Sequence, residues 1–276
     1  MSKTVAVKKS SAVANPLAGK FDTSLQSAGD TLDKNHLRIP KLTLIQGMTK
    51  AAFNTGKAPV GSFIDSIEKT NMGESNEIFV MNDTRLWEIN YQVKEKGKMV
   101  KKYLGTIDYL PENENLRDSP RIPEQLKSKA EKNGVTVSML SDINEILRFY
   151  VLRAQEVIEG IAFPYIVDFK RTSFPAGIQL KNSFFKMRTT QGMPSYAKVF
   201  TLGSEFVQGE FDYYIKTVSS GRLITEEEIG AVEKWVKEMN QNKAAYQDDS
   251  SEEEHGTEVV EAEAIEVKGR EDNPKF

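Results

Sequence analysis

Two stretches of this chain set cations beside flat rings at close spacing. The first runs from Lys94 to Tyr103 and holds five lysines within nine residues: Lys94, Lys96, Lys98, Lys101 and Lys102. It ends on Tyr103 and follows Trp87 and Tyr91. The second spans residues 169–204 and carries six cations, Lys170, Arg171, Lys181, Lys186, Arg188 and Lys198, with no Asp or Glu between Asp168 and Glu205. Phe174, Phe184, Phe185 and Tyr196 are interleaved with them. Cations that track phosphates, with rings on which bases stack whatever their identity, are what a single strand of nucleic acid requires. The stacking candidates are Tyr103, Phe185 and Tyr196. Trp87 shares the face of Ile89 and Val93 and is read as core, as is Phe184.

Residues that could do catalytic chemistry are few. The two histidines are His36 and His255, one near a polar arm and one in an acidic stretch, so no His-based triad or His metal site is expected. There is no cysteine, and no phosphate-cradling glycine loop. Asp168-Phe169-Lys170 is one strand-borne acid-x-lysine of the kind a magnesium-dependent nuclease uses, but no Pro-Asp pair lies upstream to complete it. No enzyme, metal or cofactor is expected.

Charge is distributed unevenly. From Asp248 to Phe276 there are eleven acidic residues against three basic ones, Lys268, Arg270 and Lys275, and Phe276 is the only aromatic residue. The whole chain has a net charge of -3, so the remainder is mildly basic. Such a tail cannot bury enough surface to offset its ordering entropy, so disorder is expected over 247–276. Tethered to a basic body, it can compete with nucleic acid for the body's own groove.

The tail, ending Glu271-Asp272-Asn273-Pro274-Lys275-Phe276, resembles those of bacterial and tailed-phage single-stranded-DNA-binding proteins, although Lys275 departs from their pattern. The resemblance covers about a tenth of the chain. It implies an oligonucleotide/oligosaccharide-binding (OB) barrel for the strand. It also implies a tail tip, here Asp272 and Phe276, that recruits replication or recombination proteins.

The elements that must position these residues read as short strands with helices between some of them. Strands are expected at 42–45, 62–67, 77–81, 87–93, 99–104, 146–153, 165–169, 196–202 and 211–218. Trp87, Ile89, Tyr91 and Val93 alternate with polar residues most clearly. Residues 105–145, with Pro111, Pro120 and Pro123, read as a surface insertion holding a helix over 124–132. A helix is expected from about 173 to 190, its inner face Ala176, Leu180, Phe184 and Met187. Another starts at the capping box Thr225-Glu226-Glu227-Glu228 and displays Ile229, Val232, Val236 and Met239.

The expected class is therefore α+β, mainly antiparallel β: an OB-like barrel or an open sheet with helical insertions. Residues 1–35 read as a disordered basic arm, 36–246 as the binding body and 247–276 as the acidic tail. No apolar run is long enough to span a bilayer, and the absence of cysteine fits a cytoplasmic protein. Three functions fit: a single-stranded-DNA-binding protein, a strand-annealing mediator using the same surfaces, or an adaptor or inhibitor whose tail mimics nucleic acid. Self-association into a homo-oligomer is compatible with each.

Overall fold

The computed structural model describes residues 39–47, 58–209, 212–241 and 258–259. The arm 1–35, His36, His255, Asp272 and Phe276 lie outside the described residues.

Among the described residues ten strands are arranged in two open sheets. β1 (Leu42–Leu44), β2 (Phe63–Asp65) and β3 (Asn71–Gly73) form a small antiparallel sheet. The larger sheet has β10 (Glu258–Val259), β5 (Lys98–Asp108), β4 (Ser75–Glu95), β6 (Leu140–Arg153) and β7 (Pro164–Lys170) in that order. β8 (Lys198–Val207) pairs with the start of β4, and β9 (Tyr213–Leu223) pairs with β8. All these pairings are antiparallel, with one isolated parallel bridge between Lys41 and Ile166. The class is α+β with open sheets, and the described residues form no closed barrel, so the expected OB-like barrel gives way to the open-sheet alternative.

β4 organises the molecule. Its 21 residues span roughly 70 Å at the usual strand rise, and they pair with β8, β6 and β5 in turn. The two strands expected at 77–81 and 87–93 are one, joined through Asn82-Asp83-Thr84-Arg85 across an irregularity between Val80 and Asn82. β6 likewise begins six residues before the expected 146, so the insertion between sheet strands is shorter than 105–145 and lies between Asp108 and Leu140.

Successive strand residues point to opposite faces, and both faces of the body are apolar. On one, Ile78, Val80, Leu147, Phe149, Val167, Phe169 and Phe200 meet Leu180 and Met187 of α3 (Phe174–Gln191), with Leu42, Leu44 and Phe63 from the small sheet. Gly177 lets α3 approach closely, because a Cβ there would sit 2.8 Å from the Cβ of Phe169. On the other face, Phe79, Met81, Tyr150, Leu152, Ile166 and Val199 meet Val157 of α2 (Ala154–Glu159) and Val232 and Met239 of α4 (Glu226–Gln241). No element was expected at α2.

A separate core lies at the far end of β4. There Trp87, Ile89, Tyr91, Leu104 and Ile107 pack under the insertion's Leu116, Leu126, Val135 and the Ala130 of α1 (Lys127–Lys132). Trp87 is core as expected, donating to Asn113 at 3.2 Å and stacking on Tyr109. Half of the capping box forms: Glu228 accepts from the N–H of Thr225 at 2.8 Å, and the Thr225 hydroxyl donates to the same carboxylate at 2.9 Å instead of accepting from the Glu228 N–H.

Candidate nucleic-acid interface

The lysine-rich hairpin turns through Lys96 and Gly97, both at positive φ (49° and 85°), with Glu95 opposite Lys98. Positive φ at both central residues is the two-residue turn that suits the twist of a hairpin. Asn is the usual residue at the first position, and a lysine there costs backbone energy. Lys94, Lys96 and Lys98 are exposed at this tip. Behind it Lys102 pairs with Glu95, and Lys101 reaches across β4 to Asp142 on β6.

The second cluster enters from the opposite side. β7 ends at Lys170, and the chain turns sharply at Arg171, another non-glycine residue at positive φ (51°). Lys170 pairs with Glu88 at 2.5 Å, and Arg171 pairs with Asp142. The same oxygen of Asp142 therefore receives Lys101 from the first cluster and Arg171 from the second. Glu88 is buried, and its other oxygen accepts from Asn90 at 3.2 Å and Asn144 at 3.3 Å. Removal of a carboxylate from water is tolerable only with this kind of multiple satisfaction. The strand order β5-β4-β6-β7 makes the junction: residues about seventy apart in sequence become neighbours across two intervening strands.

The rest of the second cluster goes elsewhere. α3 covers the face opposite to the side on which Arg148, Asp168 and Lys170 lie by alternation. On α3, Lys181 pairs with Asp83 at 2.9 Å, while Lys186 and Arg188 make no ion pair among the described residues. Phe185 stands beside them with 70% of its surface exposed. A ring in water flanked by two uncommitted cations is the arrangement sought by the sequence reading, placed on a second surface. Tyr196 is not on a strand. It lies in a short 3₁₀ turn (Ser195–Ala197), packs against the α4 core, and directs its hydroxyl to Glu233 at 3.5 Å. Burial and the Glu233 charge raise its pKa, and its ring belongs to the packing of α4. Lys198 is half-buried at the start of β8, opposite Leu223. Tyr103 is half-buried, its hydroxyl 3.3 Å from Thr106 and its ring 5.5 Å from the ammonium of Lys129.

Asp168, the acid of the nuclease-like fragment, is engaged by Arg148 through both oxygens, at 2.8 and 3.0 Å. Lys41 lies 3.7 Å away, and Lys216 donates to the Asp168 backbone carbonyl at 2.7 Å. Burial opposes the charged carboxylate, but Arg148, Lys41 and Lys216 outweigh it and hold its pKa far below the ordinary range. Lys170, the fragment's lysine, is turned to Glu88. Among the described residues no group of three or more His, Cys, Asp or Glu side chains could hold a metal ion. No described helix is long and apolar enough to cross a membrane.

The structure adds rings that the sequence reading passed over. The β8–β9 hairpin carries Phe206, half-exposed, in edge contact with Tyr214 at 5.4 Å, with Tyr213 on the neighbouring position. Tyr214 is anchored, since Gln46 bonds its N–H and C=O at 2.8 and 2.6 Å. The signal was four aromatics in nine residues: Phe206, Phe211, Tyr213 and Tyr214. The acids Asp83, Glu88 and Asp142 were also missed as partners of the cations.

Comparison with family models, curated proteins and solved structures finds no match to this chain.

Proposed function

We propose that this chain is a single-stranded-DNA-binding protein, without enzymatic activity, that acts in DNA replication, recombination or repair. One observation supports the reading above the others: two basic clusters distant in sequence converge on a single carboxylate oxygen, that of Asp142. A carboxylate held between a lysine and an arginine occupies the place that a backbone phosphate would take. Phosphates displacing Asp142 and Glu88 would run along Lys101, Arg171 and Lys170, toward the exposed lysines of the hairpin tip. The exposed Phe185, with Lys186 and Arg188, offers a second contact of the stacking type. The acidic tail competes for the same cations, and its tip, Asp272 and Phe276, recruits partner proteins.

The test is fluorescence anisotropy of labelled single- and double-stranded oligonucleotides at two salt concentrations. Preference for the single strand, with affinity falling steeply with salt, is the expected result. No binding to either form at low salt refutes the reading and leaves a protein-binding adaptor.

A further inference from the structure

One short segment of the acidic stretch is described, and it is a strand. β10 pairs antiparallel with β5, Glu258 across from Lys101 and Val259 across from Val100. Without β10, β5 would be the last strand on its side of the sheet. We propose that the outer edge of β5 is a strand-addition site, and that its occupant is this chain's own segment 258–267, docked by backbone hydrogen bonds as well as by charge. The inference builds on the nucleic-acid reading only for its functional consequence.

The edge itself selects such an occupant. β5 carries Lys98, Lys101 and Lys102 and no acid before Asp108. Lysines along an edge strand ordinarily deter another strand from pairing there. A strand that does pair must bring negative charge, and it must also be a good strand. Glu258-Val259-Val260-Glu261-Ala262-Glu263-Ala264-Ile265-Glu266-Val267 meets both conditions: four acids, no base, no Gly or Pro, and apolar residues between the acids.

The neighbouring stretch 248–254 is denser in charge, five acids in seven residues, but has no apolar residue. Charge alone would favour that stretch. The two residues found on β5, Glu258 and Val259, open the more strand-like stretch, so the choice follows backbone pairing. Reach is sufficient, because the chain between Gln241 and Glu258 extends to on the order of 55 Å.

The register gives the docking its consequence. Lys101 lies directly across from Glu258, and Lys101 is one of the two cations that meet at Asp142. A docked tail therefore closes the interface at a defined position, and release requires peeling a strand as well as screening a charge.

The test is the full chain with the double substitution Val259→Pro and Val260→Pro, which leaves every charge in place. Adjacent N–H groups of a strand point in opposite directions, so two consecutive prolines remove whichever one faces β5. Hydrogen exchange is followed over residues 99–103 without DNA, and oligonucleotide affinity is measured separately. Edge amides of β5 should exchange at least tenfold faster in the variant, and single-strand affinity should rise several-fold. Unchanged exchange overturns the docking. Faster exchange with no oligonucleotide bound by either protein upholds the docking and refutes the nucleic-acid reading instead. Protection in the wild-type chain that disappears on dilution assigns the occupant to a second copy and overturns the proposal.

Discussion

Asp142→Asn separates a phosphate site from an ordinary surface ion-pair network. One oxygen of Asp142 holds both Lys101 and Arg171. Asparagine keeps the shape and the accepting oxygen and removes the charge. The side chains of Asp142 and Arg171 are about a third to a half exposed (35% and 45%) and that of Lys101 is 14% exposed. Solvent screening limits the stability cost to about 1 kcal/mol. For a body of this size that is a thermal shift of roughly 2–4 °C, so binding can be measured on folded protein. If both cations become available to phosphate, up to two more counterions are released on binding. At about 0.7 per phosphate for a single strand, the slope of log affinity against log salt should steepen by up to ~1.4. The variant should also bind several-fold more tightly at 50 mM salt. Anisotropy titrations at four salt concentrations measure both. An unchanged slope with equal or weaker affinity would refute the claim that Lys101 and Arg171 are phosphate ligands.

Three further perturbations bear on other parts of the argument. Phe185→Ala should leave the thermal midpoint within about 1 °C, because the ring is mostly in water, and should weaken single-strand binding by about 1–3 kcal/mol; full affinity in the variant removes α3 from the interface. Asp168→Asn leaves the buried Arg148 without its anion and should cost about 3–5 kcal/mol in denaturant titrations. The Asp168 pKa is depressed in the folded chain, so its contribution is present above the unfolded value of about 4 and is lost as pH falls below it; the variant should show a flatter acid limb, and an identical pH profile counts against the assignment. Lys96→Asn suits the positive φ of 49° and should stabilise the chain by about 0.5–1 kcal/mol, while flattening the salt slope of DNA binding by roughly 0.7; a loss of stability would mean that the turn has another geometry.

The class, the inner face of α3 and the cap of α4 were legible because each depends on residues close in sequence. Ala176, Leu180, Phe184 and Met187 pack inward as their spacing predicts. In sequence β4 resembles two strands because Asn82-Asp83-Thr84-Arg85 is polar and an irregularity resets the alternation. Those residues stay in the sheet because Tyr150, Phe149, Arg148 and Leu147 of β6 supply partners across from them. The two basic clusters were visible, but their junction was not. Asp142 and Glu88 come from different strands, and only the register β5-β4-β6-β7 brings them to the cations. The pattern around Tyr196 predicts a strand, but Pro194 starts a 3₁₀ turn that delays β8 until Lys198. Composition could not divide the 169–204 cluster between two sides of a sheet.

The length of β4 has a consequence for biosynthesis. Its far half meets β5 almost as soon as the hairpin leaves the ribosome, so Val93 and Tyr91 find partners within a few residues. Its near half must wait: Phe79 needs Leu152 on one side and Val199 on the other. At typical translation rates the interval before β8 emerges is on the order of ten seconds. During that interval Ile78 and Phe79, both fully buried in the finished fold, lack their β8 partners Phe200 and Val199. The nascent chain is most vulnerable to wrong pairing there, and a chaperone that holds extended apolar segments would find its binding site in the first third of this chain.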